Sequence, residues 1–208
     1  MSAARGRHAP PPEVRLPLQR ERLLRAAALE FARNGFAGTS SESISRRAGM
    51  SKATFYEHFA NKEECMLALF DLASGVVTES MVAAAQGARS DARERMRAGV
   101  RAFVGALSEH PEFAQTLLVE IIGAGPMAAQ KRDEMLAGFA AVLDAENAEA
   151  ARRGRSGRFA SPHDAFAVVG AIVELVSRQL RTGVPAEMAE LAPVIERLIL
   201  ALVPELPA

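Results

Sequence analysis

Tryptophan is absent from these 208 residues, and tyrosine and cysteine occur once each, as Tyr56 and Cys65. A lone thiol cannot close an internal disulfide, so a reducing, cytoplasmic location is expected. No apolar run is seen to approach the roughly 18 residues of a membrane-spanning helix, and the N-terminus lacks the apolar stretch of a signal peptide. No membrane partner is therefore expected. Catalytic patterns are missing as well: there is no HExxH, no Glu-x-x-His pair, no Gly-rich phosphate loop and no serine elbow, and the four histidines are scattered. No enzyme activity, metal or cofactor is expected. An excess of either charge is also lacking, since 25 Lys and Arg balance 25 Asp and Glu.

That balance hides an uneven distribution. Residues 1–62 hold eleven Lys and Arg against five Asp and Glu, a surplus of +6 that the rest of the chain cancels. A basic module suited to a polyanion thus precedes an acidic one with another task. Residues 1–17, with Pro10, Pro11 and Pro12 in a row, read as a disordered basic arm whose Arg5, Arg7 and Arg15 are solvated or touch phosphates.

Beyond residue 17, Ala-, Leu-, Glu- and Arg-rich segments alternate with Gly, Pro or Asn stops and show no strand-like alternation. The class expected is all-α, with about nine helices: near residues 18–34, 40–48, 52–59, 61–86, 91–109, 112–122, 127–153, 162–181 and 186–203. The first packs on Leu24, Ala27, Ala28 and Phe31 and stops at Gly35. A capping box of Thr39 and Glu42 opens the second, Gly49 breaks it, Ser51 caps the third, and Asn61 with Glu64 opens the fourth. Two helices joined by a short Gly-containing turn make a helix-turn-helix. Residues 18–62 are expected to form that DNA-binding domain. A long helix then joins it to an effector-binding and dimerisation bundle over residues 63–208.

Helical spacing assigns faces within the unit. Ile44, Phe55 and Phe59 point inward, and Lys52 and Tyr56 share the opposite face. Lys52 can donate to guanine acceptors, Ala53 lets the helix sink into a groove, and Thr54 offers a hydroxyl or a methyl. Ser40, Ser41, Tyr56, His58 and Lys62 are placed for phosphates. Ser51 caps the reading helix.

These residues resemble the tetracycline-repressor (TetR) family of bacterial transcriptional regulators. The resemblance runs over about 45 residues, through Gly35-Phe36, Thr39-Ser40, Ile44-Ser45, Ala48-Gly49-Met50-Ser51, Ala53-Thr54, Phe55-Tyr56, His58-Phe59 and Lys62-Glu63. It implies phosphate contacts at Ser40, Thr54, Tyr56, His58 and Lys62, and base-facing positions at Lys52 and Ala53. Ser43, Ser45 and Glu42 depart from the family pattern, and Glu42 stands where some members read a base with a basic residue.

The C-terminal two-thirds carries periodicity rather than motifs. The last helix repeats Met188, Leu191, Val194, Ile195, Leu198, Ile199 and Leu202, and residues 165–173 are apolar all round. A helix without a polar face needs cover on every side, so a homodimer through the last two helices is expected, as the resemblance also implies. Phe103, Phe113, Leu117, Met127, Met135 and Phe139 read first as packed core and, where a pocket opens among them, as an adaptable interior for a small-molecule effector, with Glu120 and Glu174 fixing its polar end. A Glu174–Arg178 pair is the other reading of Glu174. The function expected is a ligand-responsive repressor that binds a palindromic double-stranded operator as a homodimer and is released by its effector. The alternative is a helical adaptor without sequence-specific DNA binding.

Overall fold

The computed structural model describes residues 11–88, 92–161 and 163–201, and among these the regular structure is entirely helical. Three helices form the head: α1 (Pro12–Gly38), α2 (Ser41–Arg47) and α3 (Lys52–His58). Then follow α4 (Lys62–Gly87), α5 (Ala92–Glu109), α6 (Pro111–Leu118), α7 (Pro126–Arg152), α8 (Asp164–Thr182) and α9 (Ala192–Ala201). Short 3-10 turns at Glu120–Gly123 and Met188–Leu191 precede α7 and α9. Proline starts α6 and α7, where its missing N–H costs nothing because the first-turn amides have no intrahelical partner.

The arm is shorter than expected. Helix α1 begins at Pro12, so residues 12–17, Arg15 included, are helical; Pro11 supplies carbonyl acceptors to Val14 and Arg15, and Glu13 favours the positive end of the helix dipole. Arg5 and Arg7 lie outside the described residues, as do Pro162 and Leu202 of the expected last two helices. The segments expected at 112–122 and 186–203 each divide into an α-helix and a 3-10 turn.

Helix α4 is the axis of the molecule, packing on α1 at its start and on α5, α6 and α7 further along. By length and composition it would suffice to cross a membrane, which corrects the expectation that no segment approaches that length. Its apolar face is committed to the interior through Cys65, Met66, Leu69, Phe70, Ala73 and Val77, while Asp71 on another face pairs with Lys131 of α7 at 2.8 Å. One core runs unbroken from head to bundle: Leu23, Phe31, Ile44, Phe55 and Phe59 continue into Met66 and Phe70, then into Leu107, Leu118, Ile121 and Ile195. The expected boundary at residue 62 falls where α4 begins, within that core. Burying Phe31 and Phe70 at 0% and 1% exposure is each worth about 2–3 kcal/mol of transfer free energy.

Helix α8 buries Ala165, Val168, Val169, Val173, Val176 and Ser177. Its opposite side, with Phe166 and Ala167, is open in the single chain.

Candidate nucleic-acid interface

The head is built by short hydrogen bonds at each helix start. Ser40 caps α2, its Oγ accepting from the Ser43 amide while the Ser43 hydroxyl accepts from the Ser40 amide, both at 3.1 Å. The expected Thr39–Glu42 box is therefore displaced by one residue. Thr39 is buried instead, donating to the Gly35 carbonyl at 2.8 Å and the Glu30 carbonyl at 3.1 Å. These acceptors are available because α1 kinks at Gly35, whose φ of +71° is one that L side chains rarely adopt.

The turn between α2 and α3 uses Gly49 at φ +66°, and Arg22 of α1 locks it by donating to the Ala48 carbonyl at 2.8 Å. Ser51 caps α3 through the Thr54 amide at 3.0 Å. Its hydroxyl also lies 3.0 Å from that of Thr54, so Thr54 is half-buried and engaged locally. Phe55 and Phe59 are buried in the core, α3 packs on α2, and Arg20 of α1 lies 4.5 Å from the centre of the Phe59 ring.

What this leaves outward is a compact row. Ser40, Ser51, Lys52 and Ala53 are exposed, and Tyr56 stands 49% exposed with its ring edge-on to Phe55. The Lys52 ammonium lies 5.9 Å from the centre of the Tyr56 ring, so one aromatic orients the cation beside it. Ser41 is half-buried, its carbonyl accepting the Ser45 hydroxyl at 2.7 Å.

Two expected phosphate residues face the protein. Lys62 donates to the carbonyls of Phe36 at 2.8 Å and Thr39 at 3.0 Å, and lies 4.3 Å from the centre of the Phe36 ring. His58 is half-buried with Nε2 3.5 Å from Gln19 Oε1, and its pKa is lowered by burial and then by the nearby Arg20. A neutral imidazole is a weak phosphate partner.

Sequence reasoning passed over Arg46. It is exposed on α2, four residues beyond Glu42, and lines an open groove of about 550 Å³ with Glu42, Met50 and Lys52. A second open groove of about 540 Å³ runs between α1 and α2 past Arg33, Arg46 and Arg47. There Arg47 is ion-paired with Glu30, and this hydrogen bond holds the buried carboxyl below its ordinary pKa. The i, i+4 spacing of Glu42 and Arg46 was the available signal.

The expected effector residues divide three ways. Leu117 is buried, and Phe103, Phe113, Met135 and Phe139 are half-buried against the core. Met127 is 71% exposed at the start of α7, which corrects its interior assignment: only Ala128 of that first turn faces the core. Glu174 is exposed and pairs with Arg181 at 2.7 Å, seven residues on, rather than with Arg178. Glu120 turns toward the head. Its Oε2 accepts the Phe36 amide at 2.8 Å, and its Oε1 accepts from Gln115 at 3.0 Å.

A short capped helix displayed outward from a helix-turn-helix is the arrangement of helix-turn-helix DNA-binding proteins. Residues 23–69 match the bacterial regulatory proteins, tetR family. Over 197 residues the chain is 32% identical to the uncharacterized HTH-type transcriptional regulator YdgC of Bacillus subtilis, covering 89% of this chain and 93% of that protein. The chain belongs to the tetR family of transcriptional regulators. It is also 35% identical over 113 residues to the HTH-type transcriptional activator FasR of Mycolicibacterium smegmatis, and 29% identical over 105 residues to YerO of Bacillus subtilis. Those matches span only 48% of FasR and 36% of YerO. In fold it is similar to FadR of Bacillus subtilis, solved in complex with stearoyl-CoA, with a TM-score of 0.76 at 21% identity over 86% of this chain and 96% of that one.

Proposed function

We propose that this chain represses transcription as an effector-responsive homodimer, reading a palindromic operator with α3 of each protomer. The carrying observation is the outward set of Lys52, Ala53 and Tyr56 on α3, behind its cap Ser51 and with the exposed α2 cap Ser40. In this reading Lys52 and Ala53 face base edges, with Thr54 beside them, while Ser40, Ser41, Ser51 and Tyr56 grip phosphates. Arg46 joins the phosphate contacts. His58 and Lys62 serve by holding the head together.

Residues 18–62 then form the reading head, and residues 63–208 the effector-binding and dimerisation part. Dimerisation through α8 and α9 supplies the two-fold symmetry that places two heads about one DNA turn apart, some 34–36 Å. The likeness of fold to FadR, solved with stearoyl-CoA, supports an effector with a long apolar portion, held by Phe103 of α5, Phe113 and Leu117 of α6, and Met135 and Phe139 of α7, all in or against the core. By linkage such a ligand releases DNA only by binding the DNA-free arrangement better than the DNA-bound one.

The deciding experiment is selection of binding sites from random duplex DNA by the purified protein. Enrichment of a palindrome supports the reading. A flat or non-palindromic result overturns it and favours an interaction protein. A reporter driven from the selected site then reads the sign of regulation, and lower expression with the protein present is expected.

A further inference from the structure

The backbone at Gly35 and Phe36 is held from three sides. The kink at Gly35 takes the Phe36 amide out of the α1 hydrogen-bond ladder, and Glu120, 84 residues away in sequence, accepts it at 2.8 Å. The carbonyl of the same residue accepts Lys62 at the start of α4, also at 2.8 Å. Thr39, in the lead into α2, donates to the Gly35 carbonyl at 2.8 Å. Bundle, central helix and reading head thus meet at two adjacent residues of main chain, Gly35 and Phe36.

Glu120 is itself well held. Gln115 of α6 donates to its second oxygen at 3.0 Å, and the 3-10 turn that carries it is pinned by Ile121, which is fully buried. The turn lies between α6, with Phe113 and Leu117, and α7, with Met135 and Phe139. Helix α1 packs against both α6 and this turn. Displacing the turn by about 1 Å along the contact would carry it from 2.8 Å to about 3.8 Å, outside the usual N–H···O range of roughly 2.7–3.2 Å. A carboxylate is the suitable acceptor, since charge-assisted bonds to amides are about twice as strong as neutral ones.

We propose that Glu120 is the positioning residue that sets the angle of the reading head on the bundle, by tying the 3-10 turn between α6 and α7 to the main chain of α1. This rests on the DNA-reading head proposed above. It adds a direct route from the bundle to α1, apart from any movement of α4. Glu120 touches no DNA; it acts through the Phe36 main chain.

The test uses the full-length protein and the palindrome selected above. Glu120→Ala removes the acceptor, whereas Glu120→Gln keeps one. Glu120→Ala should speed amide hydrogen exchange at Phe36 by about ten-fold or more and weaken binding to the full palindrome by roughly ten-fold, the size expected for losing a hydrogen bond to a charged group. Binding to an isolated half-site should stay within about two-fold, because the reading face is untouched. Preference for the native half-site spacing over one lengthened by a base pair should shrink, and Glu120→Gln should restore most of it. If Glu120→Ala does not fold, Gln115→Ala, which frees the other carboxylate oxygen, should show the same changes in smaller size. Unchanged exchange at Phe36, or unchanged spacing preference beside a wild type that binds normally, would overturn this inference alone. A wild type with no palindrome to bind would overturn the functional reading, and this inference with it.

Discussion

At the scale of single residues, the same side-chain chemistry does different work according to which way it faces. Lys52 and Lys62 are both lysines of the head, yet Lys52 stands outward beside Tyr56 while Lys62 is committed to two carbonyls. Replacing Tyr56 with Ala is expected to weaken binding to all duplexes alike. Lys52→Ala should instead change which bases are preferred, by about 1–3 kcal/mol at the position it reads, as measured by competition among single-base operator variants. A Tyr56→Ala protein that bound as well as wild type would sink the phosphate assignment. Cys65 shows the effect of burial on reactivity: it is fully buried and its pKa is raised to about 12, so at neutral pH it is an apolar core residue, not a nucleophile. His58 gives a pH signature. Its folded pKa lies below the ordinary 6.5, so as pH falls through 6.5 the unfolded chain binds a proton that the folded one resists. Stability should therefore decline as pH drops from 6.5 toward the folded value. His58→Gln should flatten that part of a plot of denaturation midpoint against pH.

At the scale of elements, the caps show where sequence spacing was informative and where it was one residue out. Gly49, Ser51 and Asn61 act at the positions their types suggest, whereas Gly35, expected to end α1, forms a kink within it and the helix runs on to Gly38. Thr39 and Glu42 have the spacing of a capping box, but the kink at Gly35 turns the Thr39 hydroxyl to α1 and leaves the cap to Ser40 and Ser43. Ser40→Ala should cost about 1 kcal/mol in a denaturation experiment, and Glu42→Ala less than about 0.5 kcal/mol. The reverse ranking would restore the Thr39–Glu42 box. The helices themselves were legible because each has Ala, Leu and charged residues at helical period between strong stops. The 3-10 turns were not, since Glu120–Gly123 and Met188–Leu191 continue the apolar pattern of their neighbours and differ only in how the terminal turn is wound, after α6 and before α9.

At the scale of the whole molecule, a single core joins head to bundle, and α1, α4 and α6 pack on one another along it. The open side of α8 is where a second copy is proposed to dock. Phe166 is 45% exposed there, and Phe166→Glu is expected to shift the protein to a monomer in sedimentation with helical circular dichroism intact. Loss of tight palindrome binding should accompany the shift. A variant that stayed dimeric would move the interface elsewhere.

The order of helices, the inward trio Ile44, Phe55 and Phe59, and the outward pair Lys52 and Tyr56 were all determined by the sequence alone. Each depends on residues within a few positions of one another, where helical period and capping chemistry dominate. The directions of Lys62, His58 and above all Glu120 were decided only by the tertiary structure. Their partners or their burial come from chain distant in sequence or from a surface no local pattern describes, and a carboxylate beside an apolar helix looks the same in one dimension whether it faces a ligand or the amide of a residue 84 positions away.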